Sequence, residues 1–288
     1  MKLALYLPNF RDKVTVKELE DLTATAEDLD YDSVWTLDRI VVPEASDRQE
    51  LQFPFGMMEQ FPKQLPVSAH GEWLHGMPLI PWLAAKTKKV RIGMSIIDTP
   101  YRAPAVLAGE IATVDQLSGG RFVFGIGAGW NEDEMEHHAV PPSRRRAVTR
   151  EHVLAMKELW TKEAASYDGE FVQFSPSWSW PKPVQSPHPP VIMGGAGGAV
   201  TFKHVAEYCD GWMPIHGRKD ILDKVSELRA AVESAGRDFA TIELGVFGCP
   251  AKPEGSDADA AAGGTRMVRG RPPAPEDGVR PSRDNDAP

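Results

Sequence analysis

The chain has 288 residues, 42% hydrophobic and 25% charged, with 32 basic against 41 acidic side chains and a formal charge of -9. This is the balance of an ordinary soluble globular protein, and the acidic excess argues against general binding to nucleic acid or anionic lipid, which needs a basic surface. Cys209 and Cys249 are too few for a disulfide framework, no apolar run reaches the roughly 18 residues of a membrane span, and Pro8 ends the first apolar run too soon for a signal peptide, so a cytoplasmic protein is expected.

Residues 2–7 form a short apolar run closed by Pro8 and Asn9, which reads as a buried strand. Val16, Leu19, Leu22, Ala26 and Leu29 then recur at intervals of three and four. That spacing predicts an amphipathic helix, with Thr15 as N-cap and Glu18 as its capping-box partner. Residues 33–37 read as a second strand. Residues 41–77 break the rhythm with Pro43, Pro54, Pro62 and Pro66 and read as a long excursion. The alternation resumes with helices over 78–86, 104–117, 144–162, 200–208 and 220–235. Strands are expected over 90–96, 121–126, 191–193, 211–213 and 241–247. A Pro- and Trp-rich insert occupies 167–190.

Short apolar strands alternating with helices imply parallel strands in a buried sheet. Seven of them within residues 1–250 fit an α/β fold, a (β/α)8 TIM barrel with one strand still to come. A doubly wound open sheet is the rival, but the dinucleotide fingerprint is missing after the first strand. Residues 251–288 contain no Leu, Ile, Phe, Trp or Tyr and hold six prolines. Such a tail is expected to be disordered, or to be the product of a shifted reading frame, leaving the eighth β/α unit absent.

In a parallel barrel, function sits on the loops after the strands' C-terminal ends. Asp38 and Arg39 follow the second strand, where a structural ion pair and a ligand contact are equally open readings. Asp98 and Thr99 follow the third, as ligand contacts or as caps. Gly127-Ala128-Gly129-Trp130 follows the fourth, where alternate glycines let backbone approach a ligand. Gly194-Gly195-Ala196-Gly197-Gly198 follows the fifth and opens a helix, a setting that favours an anion, most often a phosphate. It lacks the Lys-Ser/Thr of a nucleotide P-loop. His137 and His138 are adjacent and so face different helix sides, no cysteine or histidine cluster has zinc spacing, and no nucleophile elbow is present. No metal is expected. The residues point to a barrel holding a phosphorylated organic cofactor.

The series Asp32-Ser33-Val34-Trp35 to Asp38-Arg39, Leu117-Ser118-Gly119-Gly120-Arg121-Phe122 to Gly125-Ile126-Gly127-Ala128-Gly129-Trp130, Val191 to Gly195, and Tyr208-Cys209-Asp210-Gly211-Trp212 resembles the bacterial luciferase-like monooxygenase family. Within it, the chain looks like the deazaflavin-dependent oxidoreductases, over about residues 2–250. The resemblance implies a (β/α)8 barrel that binds a deazaflavin (coenzyme F420) or FMN. It implies that Gly194, Gly195, Ala196 and Gly197 hold the cofactor phosphate. It also implies that Gly127, Ala128, Gly129 and Trp130 line the ring, with Asp98 and Thr99 beside them. Many members carry a histidine where this chain has Arg39, so Asp38, Arg39 and Trp130 stand only as catalytic candidates. Flavin-binding luciferases carry an arginine in the fourth-strand turn where this chain has Ala128, which favours the deazaflavin. Hydride transfer to or from an apolar small molecule is then the expected reaction, with Phe53, Phe55, Phe61 and Trp73 forming an apolar lid. An FMN-dependent monooxygenase and a non-catalytic cofactor-binding paralogue are the alternatives; an aldolase is disfavoured because no lysine ends a recognised strand. The expected partners are a small-molecule substrate and a second copy of the chain.

Overall fold

Strand and helix alternate along the chain because apolar runs of four to six residues alternate with segments of helical period. The computed structural model describes residues 2–11, 15–41, 72–216, 221–249 and 266–269. Within them run the barrel strands β1 (Lys2–Tyr6), β2 (Ser33–Thr36), β3 (Arg91–Met94), β4 (Phe122–Gly127), β5 (Val191–Gly194), β6 (Gly211–Met213), β7 (Glu243–Cys249) and β8 (Arg266–Arg269). Each pairs in parallel with its sequence neighbours, and β8 pairs with both β7 and β1. The packed helices are α1 (Val16–Asp28), α2 (Gly76–Lys86), α3 (Pro104–Ser118), α4 (Glu132–His137), α5 (Arg145–Thr161), α6 (Ala199–Tyr208) and α7 (Ile221–Ser234). Thr15 caps α1 as expected, its side chain accepting from the Glu18 N–H at 3.2 Å.

Alternate residues of the strands divide into two apolar layers, as the two-residue period of a strand requires. Leu5, Val34, Ile92, Phe122, Phe124, Val191 and Leu244 join helix residues such as Leu19, Leu83, Leu107 and Val205 outside the sheet. Ala4, Trp35, Val123, Ile192, Met213 and Val268 fill the lumen. Trp35 is fully buried there, and its indole occupies the space a Cβ would need at Gly93. The lumen is therefore a packed core, and the chemistry belongs at the strands' C-terminal ends.

The expectation that the tail supplies no eighth strand is corrected. Val268 pairs with Ala4 on one side and Phe247 on the other, and it is fully buried. Two physical reasons apply. A parallel ladder is made by the main chain and asks little of composition. Val268 supplies a branched side chain to the lumen beside Trp35. Residues 250–265 and 270–288 lie outside the described residues, and the disorder and reading-frame expectations for them lie there too.

Other elements differ from expectation. Helix α4 is new; it has one turn and a half, with no apolar period to announce it. The Pro- and Trp-rich insert contains an antiparallel hairpin, Ala164–Asp168 with Gln173–Trp178. The outer strand is mostly exposed and contains Pro176, so it carries no alternating pattern. The excursion is described only at its ends. Glu72–Trp73 pairs with Phe10–Arg11, and α2 begins at Gly76. Trp73 of the expected lid lies on that short strand; Phe53, Phe55 and Phe61 lie outside the described residues.

The Ser118-Gly119-Gly120-Arg121 motif lies at the opposite, N-terminal end of the barrel. Arg121 donates to Ser118 O (2.7 Å), Thr87 Oγ1 (2.7 Å), Val90 O (2.9 Å), Ala84 O (2.9 Å) and Thr87 O (3.2 Å). It thereby satisfies the last carbonyls of α2 and ties that helix to α3. Asp210 Oδ2 accepts from the Val191 N–H at 2.8 Å and joins the starts of β5 and β6.

Candidate functional site

The C-terminal rim is held first by Asn9, which is fully buried after β1. Its amide donates to Leu37 O and Leu74 O, both at 2.8 Å, and its oxygen accepts from the Leu37 N–H at 2.9 Å. One side chain thus fixes the loop after β2 on which Asp38 and Arg39 stand.

Those two adjacent charges do not pair with each other. Arg102 grips Asp38 with both arms, Nη1 to Oδ2 at 2.6 Å and Nη2 to Oδ1 at 2.9 Å. Asp38 Oδ2 also accepts from the Asp98 N–H at 3.2 Å. Both carboxylate oxygens are engaged, which makes Asp38 a brace between β2 and the loop after β3. Arg39 turns instead to α4, with Nη1 3.7 Å from Glu134 Oε2. Its guanidinium lies 5.1 Å from the centre of the Trp130 ring, a cation–π contact. Arg39 Nε and Nη2 are buried and have no hydrogen-bond partner among the described residues.

Asp98 and Thr99 lie between these ion pairs and are buried. Burial, reinforced by the charges of Asp38 and Glu134, pushes the Asp98 carboxyl well above its ordinary range. That direction favours the protonated form of Asp98, against the opposing pull of Arg39 and Arg102. Thr99 Oγ1 donates to Ile97 O at 3.2 Å, and Thr99 O lies 3.3 Å from His152 Nδ1. Burial holds His152 below its ordinary value. Tyr101 stacks on His138 with centroids 4.9 Å apart, and its hydroxyl is buried without a partner among the described residues. Burial also pushes the Tyr101 phenol up, so it remains a donor.

The glycines of the two turns serve different ends. A Cβ at Gly127 or at Gly194 would collide with Ile96, and one at Gly129 with the Tyr101 hydroxyl. At these positions the missing side chain makes room for a neighbour. Ala128 and Trp130 are half-buried beside them. Gly195 (φ 101) and Gly198 (φ 153) have backbone that L side chains rarely adopt, and nothing lies within 4 Å of where a Cβ would be. Trp212 Nε1 donates to Gly195 O at 3.1 Å and Thr201 Oγ1 to Ala196 O at 3.0 Å, which pins the turn. The Lys224 stem runs beside Gly197. Helix α6 starts at Ala199 with no side-chain cap, so its first amides are left for an outside acceptor. These residues fit the phosphate of a cofactor.

The structure thus brings Asp38, Arg39, Asp98, Thr99 and Gly127 to Trp130 into one cluster, with Gly194 to Gly197 on the turn after β5. Sequence reasoning missed Arg102, Glu134 and Tyr101. Glu134 stands in an acidic run, Glu132 to Glu136, and is marked out there by its burial and its ion pair with Arg39. Arg102 stands four residues after Asp98, a spacing without meaning until β2 lies alongside. No group of His, Cys, Asp and Glu among the described residues could hold a metal ion, and no described helix is long and apolar enough to cross a membrane.

A luciferase-like monooxygenase family model matches residues 1–285. An uncharacterised protein of Mycobacterium tuberculosis is 47% identical over 165 residues, 56% of this chain and 58% of that protein. The F420-dependent glucose-6-phosphate dehydrogenase of Kineococcus radiotolerans is 30% identical over 237 residues, 78% of this chain and 61% of the relative. The FMNH2-dependent dimethylsulfone monooxygenase of Pseudomonas putida is 25% identical over 251 residues, 85% of this chain and 64% of the relative. The chain therefore spans about three fifths of the length of the curated relatives it matches. Among solved structures, the monooxygenase RslO1 of Streptomyces bottropensis superposes with a TM-score of 0.68 at 21% identity, covering 91% of this chain and 75% of that one. At that identity the likeness concerns the fold.

Proposed function

The chain belongs to the luciferase-like monooxygenase family, and on that premise we propose that it is a cytoplasmic oxidoreductase that uses coenzyme F420 and acts on a small organic substrate with an apolar body. The turn after β5 carries this reading: Gly195 and Gly198 are open, in backbone that glycine favours, at the uncapped start of α6. Main-chain amides from Gly194 to Gly197 would hold the cofactor phosphate, with the Lys224 stem alongside. Asp98, Thr99, Gly127, Ala128, Gly129 and Trp130 would lie along the ring. When bound, a deazaflavin supplies a hydride-bearing carbon that reacts poorly with oxygen.

The chain's own residues do the rest. Trp35 plugs the lumen beneath the mouth and excludes water from below. The Asp38–Arg102 brace holds the loop after β3 against that after β2. Asp98 lies buried beside these ion pairs, where desolvation and the charges of Asp38 and Glu134 favour its protonated form. The preference for the deazaflavin is supported by Ala128, which offers no side-chain charge in the fourth-strand turn, and by the 30%-identical relative named for that cofactor. FMN-dependent oxygenation is the second reading, supported by the Pseudomonas relative.

Equilibrium titration of the purified chain with each cofactor separates the two. Tighter binding of the deazaflavin, and turnover without oxygen consumption, is expected. Tighter binding of FMN with NADH-driven oxygen uptake would overturn the F420 reading.

A further inference from the structure

We propose that the barrel mouth takes a substrate bearing a carboxylate, held side-on by the Nε–H and Nη2–H edge of Arg39. The proposal rests on the oxidoreductase reading above and adds the substrate class to it. Arg39 uses Nη1 toward Glu134 and leaves Nε and Nη2 buried without a partner among the described residues. Those two N–H groups lie on one edge of the planar guanidinium and point the same way. That edge matches the two oxygens of a carboxylate, the bidentate geometry that distinguishes arginine from lysine. Buried donors are almost always satisfied, and an unsatisfied pair on one edge calls for an acceptor with two oxygens.

No acid in the cluster can supply it. Asp38 has both oxygens engaged by Arg102 and the Asp98 N–H. Glu134 is committed on the other side of Arg39, with Oε2 near Nη1 and Oε1 accepting from the Val41 N–H at 3.3 Å. Asp98 does not reach Arg39 Nε or Nη2, which find no hydrogen-bond partner among the described residues, and its burial beside Asp38 and Glu134 disfavours the charged carboxylate. The guanidinium is also fixed in place: Arg39 is 6% exposed and stacked over Trp130. With the Arg39–Glu134 and Arg102–Asp38 pairs already balanced, the site suits a monoanion better than a phosphate dianion, which two nearby carboxylates would oppose. The Tyr101 hydroxyl is a further buried donor at the same mouth, without a partner among the described residues.

The test titrates the full chain, with and without cofactor, with benzoate and with its uncharged analogue methyl benzoate. Benzoate is expected to bind at least tenfold more tightly. Arg39→Gln and Arg39→Lys should each weaken benzoate at least tenfold while leaving methyl benzoate and the cofactor within twofold, because a lysine cannot reproduce the fork. Equal affinity of the wild-type chain for the two probes, or no binding of benzoate, overturns the proposal even if the variants do not fold. A parallel loss of cofactor affinity in the variants overturns it as well, since the edge would then serve the cofactor. Benzoate binding that depends on Arg39 in a chain that binds neither cofactor would support the carboxylate site and count against the oxidoreductase reading alone.

Discussion

Gly195 is a position where a side chain has room but the backbone refuses it. Its φ of 101 strains any L residue, by about 1–2 kcal/mol, and nothing lies within 4 Å of the missing Cβ. Gly195→Asp would add a carboxylate where the cofactor phosphate is proposed to lie. Cofactor affinity should fall at least tenfold while the fold survives; an unchanged titration would move the phosphate elsewhere. Trp130→Phe should remove much of the tryptophan quenching caused by cofactor addition. Quenching equal to wild type would leave Trp130 as a rim residue that only stacks on Arg39. Asp98 gives a pH prediction. Its folded-state pKa is raised above the ordinary value near about 4. The folded chain binds that proton more tightly than the unfolded chain, so this contribution is fully present below about pH 4 and is lost as pH rises through the folded-state value. Asp98→Asn is neutral at every pH. Its stability relative to wild type should therefore rise as pH increases above about 4 in urea denaturation. A pH-independent difference would mean that Asp98 is ionised in the folded protein.

At the scale of elements, the motifs most visible in the sequence turn out to hold the barrel together. Arg121 gathers carbonyls from the end of α2, the following turn and α3. Arg121→Ala would strand them and should cost about 2–3 kcal/mol, read as a lower urea midpoint, with cofactor affinity unchanged. A loss of cofactor affinity at constant stability would contradict the framework role. Strands and long helices were legible because each carries its own period and its own stop, such as Gly119 (φ 65) after α3. Helix α4 and the exposed hairpin were not. Their residues satisfy no buried periodic face, and only contact with the rest of the molecule orders them.

For the whole molecule, closure depends on four residues of the tail. Without β8, β7 and β1 would present two unpaired edges and the lumen would lose Val268. A chain stopped after Pro250 should melt about 5 °C lower or more and aggregate on heating. Equal melting of the two chains would show that β8 adds nothing to stability. Apolar periodicity by itself determined the alternation of strands and helices, and with it the parallel barrel and the end at which to look for chemistry. Spacing also located the two glycine turns. Only the tertiary structure decided that Asp38 pairs with Arg102 and Arg39 with Glu134, that Ile96 fills the space at Gly127 and Gly194 while Gly195 and Gly198 stay open, and that a Pro-rich tail still closes the ring. The reason is physical. A period or a cap is written in neighbouring residues, whereas the partner of a buried charge is set by which distant loops the packed core brings within reach, and a parallel ladder is formed by a main chain common to every sequence.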